Sequence, residues 1–138
     1  MRAHFVALYA HPRAGLLGEV FNGEIQLNAS GQAIRSYWLA LPQYHPCLHL
    51  DEFAITPSGI RGILLLDAAT MAKHHEVEDI IDEFKARSNQ QISRMYQRID
   101  PPIWQRNVYR LDIRNETSLQ ILRYYTRFGS MSQQCDER

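Results

Sequence analysis

The sequence has little covalent means of holding itself together: two cysteines, Cys47 and Cys135, in 138 residues. Two thiols cannot build a disulfide framework, and this pair lacks the spacing of a structural zinc site. No apolar run approaches the roughly 18–20 residues that cross a bilayer, and Met1-Arg2-Ala3-His4 leads into no signal-peptide core. A cytoplasmic location is therefore expected. Net charge is missing as well, with fifteen Lys and Arg against fifteen Asp and Glu. Without a bulk positive field, any contact with nucleic acid has to come from a local patch. Gly-rich phosphate loops, serine elbows and cysteine–histidine motifs are also absent.

What is present suits one globular domain over residues 1–138, at 45% hydrophobic and 22% charged. Phe5-Val6-Ala7-Leu8-Tyr9 reads as a strand closed by the turn residues His11 to Gly15. Asn22-Gly23, between Glu19-Val20-Phe21 and Glu24-Ile25-Gln26-Leu27, is a tight-hairpin signal because both residues tolerate positive φ. From Ser30 as N-cap, Ile34, Trp38 and Leu41 recur at helical spacing until Pro42 and Pro46 stop the pattern. Leu48 to Ile55 and Ile60 to Leu66 read as strands around the turn Thr56-Pro57-Ser58-Gly59, and the second, apolar but for Arg61, is expected to be central. A stripe from Val77 to Ile99 predicts a long helix ended by Asp100-Pro101-Pro102. A strand from Ile103 to Ile113 follows, and then the capping cluster Asn115-Glu116-Thr117-Ser118 opens a last helix to Phe128-Gly129. Interleaved strands and helices with hairpins predict an α+β sandwich, its sheet largely antiparallel with helices packed on it.

Three groups of residues could carry chemistry. His45, Cys47 and His49 alternate, so an extended chain would project them from one face; without a fourth ligand, a Pro-broken loop with incidental polar residues is the better reading. His74-His75 reads as a solvated helix start, since adjacent residues diverge on a helix. The C-terminal third interleaves Trp104, Arg106, Tyr109, Arg110, Arg114, Arg123, Tyr124, Tyr125 and Arg127. Such a surface could stack bases and hold phosphates, but composition alone favours core aromatics beside an ordinary wet arginine face.

Longer motifs carry a resemblance. Leu17 to Asn28, Trp38-Leu39 and Leu50-Asp51-Glu52-Phe53 resemble the front half of the REP-associated tyrosine transposases, within the insertion-sequence-200-like single-tyrosine superfamily. Pro102-Ile103-Trp104-Gln105-Arg106-Asn107, Ile113-Arg114-Asn115-Glu116, Ser118-Leu119 and Arg123-Tyr124-Tyr125 resemble its Trp-Gln-Arg-Asn strand and tyrosine helix, so the likeness runs from about Phe5 to Tyr125. It implies a ferredoxin-like domain that binds single-stranded or hairpin DNA as a monomer or homodimer, with no membrane. It also implies strand cleavage by a tyrosine that becomes phosphotyrosine, assisted by Mg²⁺ or Mn²⁺ held on a Pro-Asn-His-apolar-His-Gly strand.

In this chain that strand motif reads Pro57-Ser58-Gly59-Ile60-Arg61-Gly62. Gly59 has no side chain, and Arg61 puts a permanent cation where a metal is expected. The third ligand position, one turn after the nucleophile, falls at Gly129; the histidine usual in the strand after Trp-Gln-Arg-Asn falls at Leu111. The nucleophile position survives as Tyr125, with Tyr124 beside it. A free tyrosine, with a pKa near ~10, is a poor nucleophile without its metal. The resemblance thus implies a DNA-binding transposase-type domain that has lost cleavage and needs no cofactor, with Arg106, Arg114 and Lys85 on phosphates and Trp104 either stacking or core. The rival expectations are an active tyrosine transposase, with Arg61 contacting the phosphate in place of the metal, and an interaction module with no nucleic-acid role, consistent with the neutral charge and the acidic tail Asp136-Glu137.

Overall fold

The computed structural model describes residues 1–12, 17–67, 77–97 and 102–129. His74-His75, Cys135, Asp136-Glu137 and most of the turns expected at 11–15 and 100–102 lie outside the described residues. The elements are β1 (Arg2–Ala10), β2 (Gly18–Phe21), β3 (Glu24–Leu27), α1 (Ala29–Leu39), α2 (Leu41–Tyr44), β4 (Leu48–Thr56), β5 (Gly59–Leu66), α3 (Val77–Tyr96), β6 (Trp104–Ile113) and α4 (Glu116–Phe128). β2 and β3 form a separate hairpin, turned by Asn22 at φ 53° and Gly23 at φ 81°. That left-handed pair is the geometry an Asn-Gly turn favours.

The main sheet runs β4-β5-β1-β6, and every neighbouring pair is antiparallel. With the hairpin, α2 and α4 set aside, the chain follows β1-α1-β4-β5-α3-β6, the ferredoxin-like order. β5 is interior, as its apolar run, broken only by Arg61, predicts.

Alternation along the strands sends two residue sets to opposite faces. One face is covered by α1 and α3: Val6, Leu8, Ile60 and Leu64 pack there against Ile34, Trp38, Ile80 and Phe84. The other bears a smaller cluster of Phe5, Ala7 and Ile63, against which Leu119 and Leu122 of α4 rest. α4 lies over β4 and β5, so this second face is helix-covered along only part of its width.

Three boundaries differ from expectation. Asn28, not Ser30, caps α1, its side chain accepting from the Gly31 N–H at 2.9 Å. Its own N–H donates to the Leu17 carbonyl, which fixes the cap at the end of the hairpin. Pro42 does not end a helix but sits in the first turn of α2, where its missing N–H costs nothing. The stripe expected to reach Ile99 is helical as far as Tyr96, after which Gln97 turns left-handed at φ 54°.

Candidate functional site

Two of the three positions where the resemblance expects metal ligands, Arg61 and Gly129, meet at the C-terminal end of α4, while Gly59 lies against Leu8 and Tyr9 of β1. Arg61 projects from β5 on the α4 side, and it is only 8% exposed. Its Nε and Nη2 donate to the Thr126 carbonyl at 3.3 and 3.2 Å, and its guanidinium carbon sits 4.8 Å from the centroid of the Tyr125 ring. Thr126 belongs to the last turn of a helix that ends at Phe128, where carbonyls have no intrahelical partner and the dipole is negative. Arg61 therefore caps the C-terminus of α4 from the sheet below. Among the described residues no carboxylate lies within 4.0 Å of it, so its charge is balanced by the helix end and the ring face rather than by an ion pair. Burial draws its pKa below the usual value, with Tyr125 and Tyr9 acting in the opposite sense. A guanidinium remains protonated in such a site.

Gly59 and Gly129 suit this arrangement. A Cβ at Gly59 would run into the Leu8 carbonyl on β1. A Cβ at Gly129 would lie 2.9 Å from Arg61 Nη2. The donor set does not fit a divalent ion: one position has no room for a side chain, one is filled by a cation, and at the third a Cβ would meet the Tyr125 carbonyl oxygen at 2.5 Å as well as that cation's nitrogen. Among the described residues no three of His, Cys, Asp or Glu are grouped to hold a metal. His45 instead pairs with Glu83 at 2.7 Å, Cys47 is half-buried, and His49 is exposed on β4.

A second contact holds α4 from the same side. Arg123 donates from Nε and Nη2 to both oxygens of Asp51 on β4, at 2.7–3.2 Å. Burial works against the charge on Asp51, but the Arg123 guanidinium and the Glu52 N–H outweigh it and hold the carboxyl below its usual range. Further along, Arg127 Nη1 lies 3.7 Å from Glu52.

The expected DNA-contacting residues are scattered. Trp104, expected to stack or to pack, is core: it is 5% exposed, its ring lies 5.7 Å from Phe84, and its Nε1 donates to Ser88 Oγ at 2.8 Å. No face of that indole is open to a base, so its place among DNA-contacting residues is withdrawn. Lys85 Nζ donates to the Arg106 carbonyl at 3.2 Å, which joins α3 to β6 and brings two of the expected residues together. Burial lowers the Lys85 pKa, with Asp82 opposing it. Arg106 is exposed on the α3 side of β6, and Arg114, 80% exposed beyond its end, lies 3.7 Å from Asp112. Arg110 pairs with Glu78 in the first turn of α3. Tyr125 is on the other face, 47% exposed, its ring edge-on to Phe5 at 6.0 Å. Tyr124 points away from the sheet at 68% exposure and packs on Phe128.

Sequence reasoning missed two features. Capping of α4 by Arg61 is a tertiary contact 65 residues apart in sequence. The second is a cleft beside Tyr125, floored by Phe5 and Ala7 and bounded by Tyr9, Tyr109 and Leu111, of about 380 Å³. Its signal was the odd-numbered set Tyr109, Leu111 on an edge strand, apolar where solvent is expected.

No family model matches the chain. An uncharacterized protein of Haemophilus influenzae is 27% identical over 139 residues, covering 88% of this chain and 76% of that protein. A REP-associated tyrosine transposase, solved bound to a REP hairpin, superposes with a TM-score of 0.64 at 16% identity over 91% of this chain. The chain spans 64% of the length of that transposase. A candidate transposase from Deinococcus radiodurans R1 superposes with a TM-score of 0.59 at 13% identity, over 90% of this chain and 88% of that one. The protein has the α+β fold of these transposases: a four-stranded antiparallel sheet with helices packed on it.

Proposed function

We propose that this protein is a transposase-type domain that binds single-stranded or hairpin DNA and does not cut it. The observation that carries the second half is Arg61: at a position where the resemblance expects a metal-binding histidine, a buried guanidinium bonds to the Thr126 carbonyl and lies under the Tyr125 ring. Metal-assisted attack needs a divalent ion beside the tyrosine to polarise the phosphodiester and stabilise its developing charge. Here a fixed organic cation fills that position and spends its hydrogen bonds on the helix. The nearby Tyr125 then serves packing rather than nucleophilic attack.

The DNA-binding half is supported by the sequence resemblance and by likeness of fold to a transposase solved on a REP hairpin. Arg106 and Arg114 supply phosphate contacts, with Lys85 beside Arg106 on the same edge. No cofactor is needed for this binding. Among the described residues no helix is long and apolar enough to cross a membrane.

The test is a binding titration with single-stranded and hairpin DNA at several salt concentrations, with Mn²⁺ or a chelator, followed by a denaturing gel. The expected result is binding that weakens with salt, ignores the chelator and leaves no covalent adduct. A Mn²⁺-dependent adduct that disappears in Tyr125→Phe would overturn the loss of cleavage. Absence of binding at low salt would overturn the DNA reading.

A further inference from the structure

Helix α4 is apolar on two sides. Leu119, Leu122 and Thr126 face the sheet, where the first two rest on the cluster of Phe5, Ala7 and Ile63 and the third is fully buried. Ile121, Tyr124 and Phe128 stand on the opposite side at 62%, 68% and 62% exposure, and Thr117, also exposed, begins their row. Successive members of that row are separated by four, three and four positions, which keeps them on one stripe of the helix and is the spacing of a helix–helix seam. Tyr124 and Phe128 already touch along it, with ring centroids 5.0 Å apart. The helix needs no second apolar side for its own packing, so a contiguous stripe of this kind marks a docking surface.

Shape and charge select the occupant. The stripe is convex, whereas a small ligand needs a concave site. About a quarter-turn away runs a polar flank that begins at Glu116 and ends at Arg127. Gln120 lies between them and donates to the Glu116 carboxylate at 2.8 Å. Arg127 comes only within 3.7 Å of Glu52 and its side chain is 64% exposed, so it has donors left to give. A flank that is acidic at its start and basic at its end is complementary to itself reversed. A second α4 laid antiparallel brings Glu116 of each copy to Arg127 of the other, sets Ile121 against Tyr124, and opposes the two helix dipoles. A partner of one charge sign, such as an anionic membrane surface, would meet Glu116 as well as Arg127, and a formal charge of zero gives it no wider attraction.

We propose that the outer stripe of α4, formed by Thr117, Ile121, Tyr124 and Phe128, is the face by which two copies of this chain pair, helix against antiparallel helix about a two-fold axis. The pairing stands apart from the DNA-binding reading, since none of these four residues is among the expected phosphate contacts.

The experiment is analytical ultracentrifugation of the full chain over a concentration series without DNA. Wild type is expected to show a monomer–dimer equilibrium. Ile121→Arg and Tyr124→Arg should each be monomeric with the circular dichroism of wild type, because both positions are exposed. Glu116→Lys or Arg127→Glu alone should weaken the dimer by about 2- to 30-fold, an exposed ion pair being lost at each end. The two together in one chain should restore it. For the direction of pairing, Ile121→Cys and Tyr124→Cys chains are mixed and oxidised, with Cys47 and Cys135 replaced by serine. The crossed disulfide should form in preference to either self-pair. A wild type that stays monomeric to its solubility limit would overturn the pairing, and so would a dimer that both arginine variants leave intact. Self-pairs formed in place of the crossed disulfide would overturn the antiparallel arrangement. Wild type that sediments with anionic phospholipid vesicles but never dimerises, with Tyr124→Arg failing to sediment, would give the stripe to a membrane surface instead.

Discussion

At the scale of single residues, Arg61 turns an expected binding site into a joint. Its two hydrogen bonds reach a carbonyl that the helix itself cannot satisfy, in a setting where little water competes. Arg61→Met keeps much of the stem's packing but leaves the Thr126 carbonyl unpaired. It should lower stability by about 1.5–3 kcal/mol, the cost of losing a hydrogen bond to a charged group; a urea denaturation midpoint equal to wild type would refute the joint. Putting histidine at both 59 and 61 should not restore a metal site, because the Cβ at 59 collides with the Leu8 carbonyl. Calorimetric titration with Mn²⁺ checks this, and tight binding by a folded double variant would contradict the packing argument. The sequence displayed the substitutions at 59, 61 and 129 plainly. It could not display that Arg61 and Gly129 fit one another, since the 2.9 Å approach exists only once α4 is laid on β5.

At the scale of elements, α4 is held by a cap at each end and by two ion pairs to β4, Arg123 with Asp51 and Arg127 with Glu52. Asn115 accepts from the Ser118 N–H at 2.8 Å at its start, and Arg61 serves its end. Asn115→Ala should cost about 1 kcal/mol. The Asp51–Arg123 pair adds a pH dependence whose sign follows from the depressed carboxyl. Its stabilisation is fully present above the unfolded Asp value near ~4 and is lost as pH falls below it. Thermal melts of wild type and Asp51→Asn should therefore differ at neutral pH and converge as the pH drops well below ~4; a difference that stays constant to pH 3 would refute the assignment. Elements were the most legible part of the fold, because Asn22-Gly23, the run Ile60 to Leu66 and Asn115 act through local chemistry. The cap of α1 was misplaced by two residues for the opposite reason. Ser30 and Asn28 are both good caps, and the choice between them is made by Leu17, whose carbonyl takes the Asn28 N–H.

At the scale of the whole molecule, a formal charge of zero is spent largely in pairs: Arg110 with Glu78, Arg123 with Asp51, Arg87 with Glu83. If phosphate contacts come from Arg106, Arg114 and Lys85, the salt slope should be shallow, about −2 for single strands at ~0.7 per contact. A slope two or three times steeper would mean that other cations are engaged. Trp104 shows why a surface could not be read from composition: an indole and several arginines fit a stacking face and a packed core equally well until Ser88 and Phe84 are seen beneath it.

The sheet also divides the molecule optically. Both tryptophans, Trp38 and Trp104, are buried on the side of α1 and α3, while Tyr109 and Tyr125 stand on the opposite face. Tryptophan emission should follow unfolding, and the part of the tyrosine difference absorbance that is lost in Tyr109→Phe should follow the cleft. A titration that perturbs the second while the first stays level would place the ligand on the open face without any label.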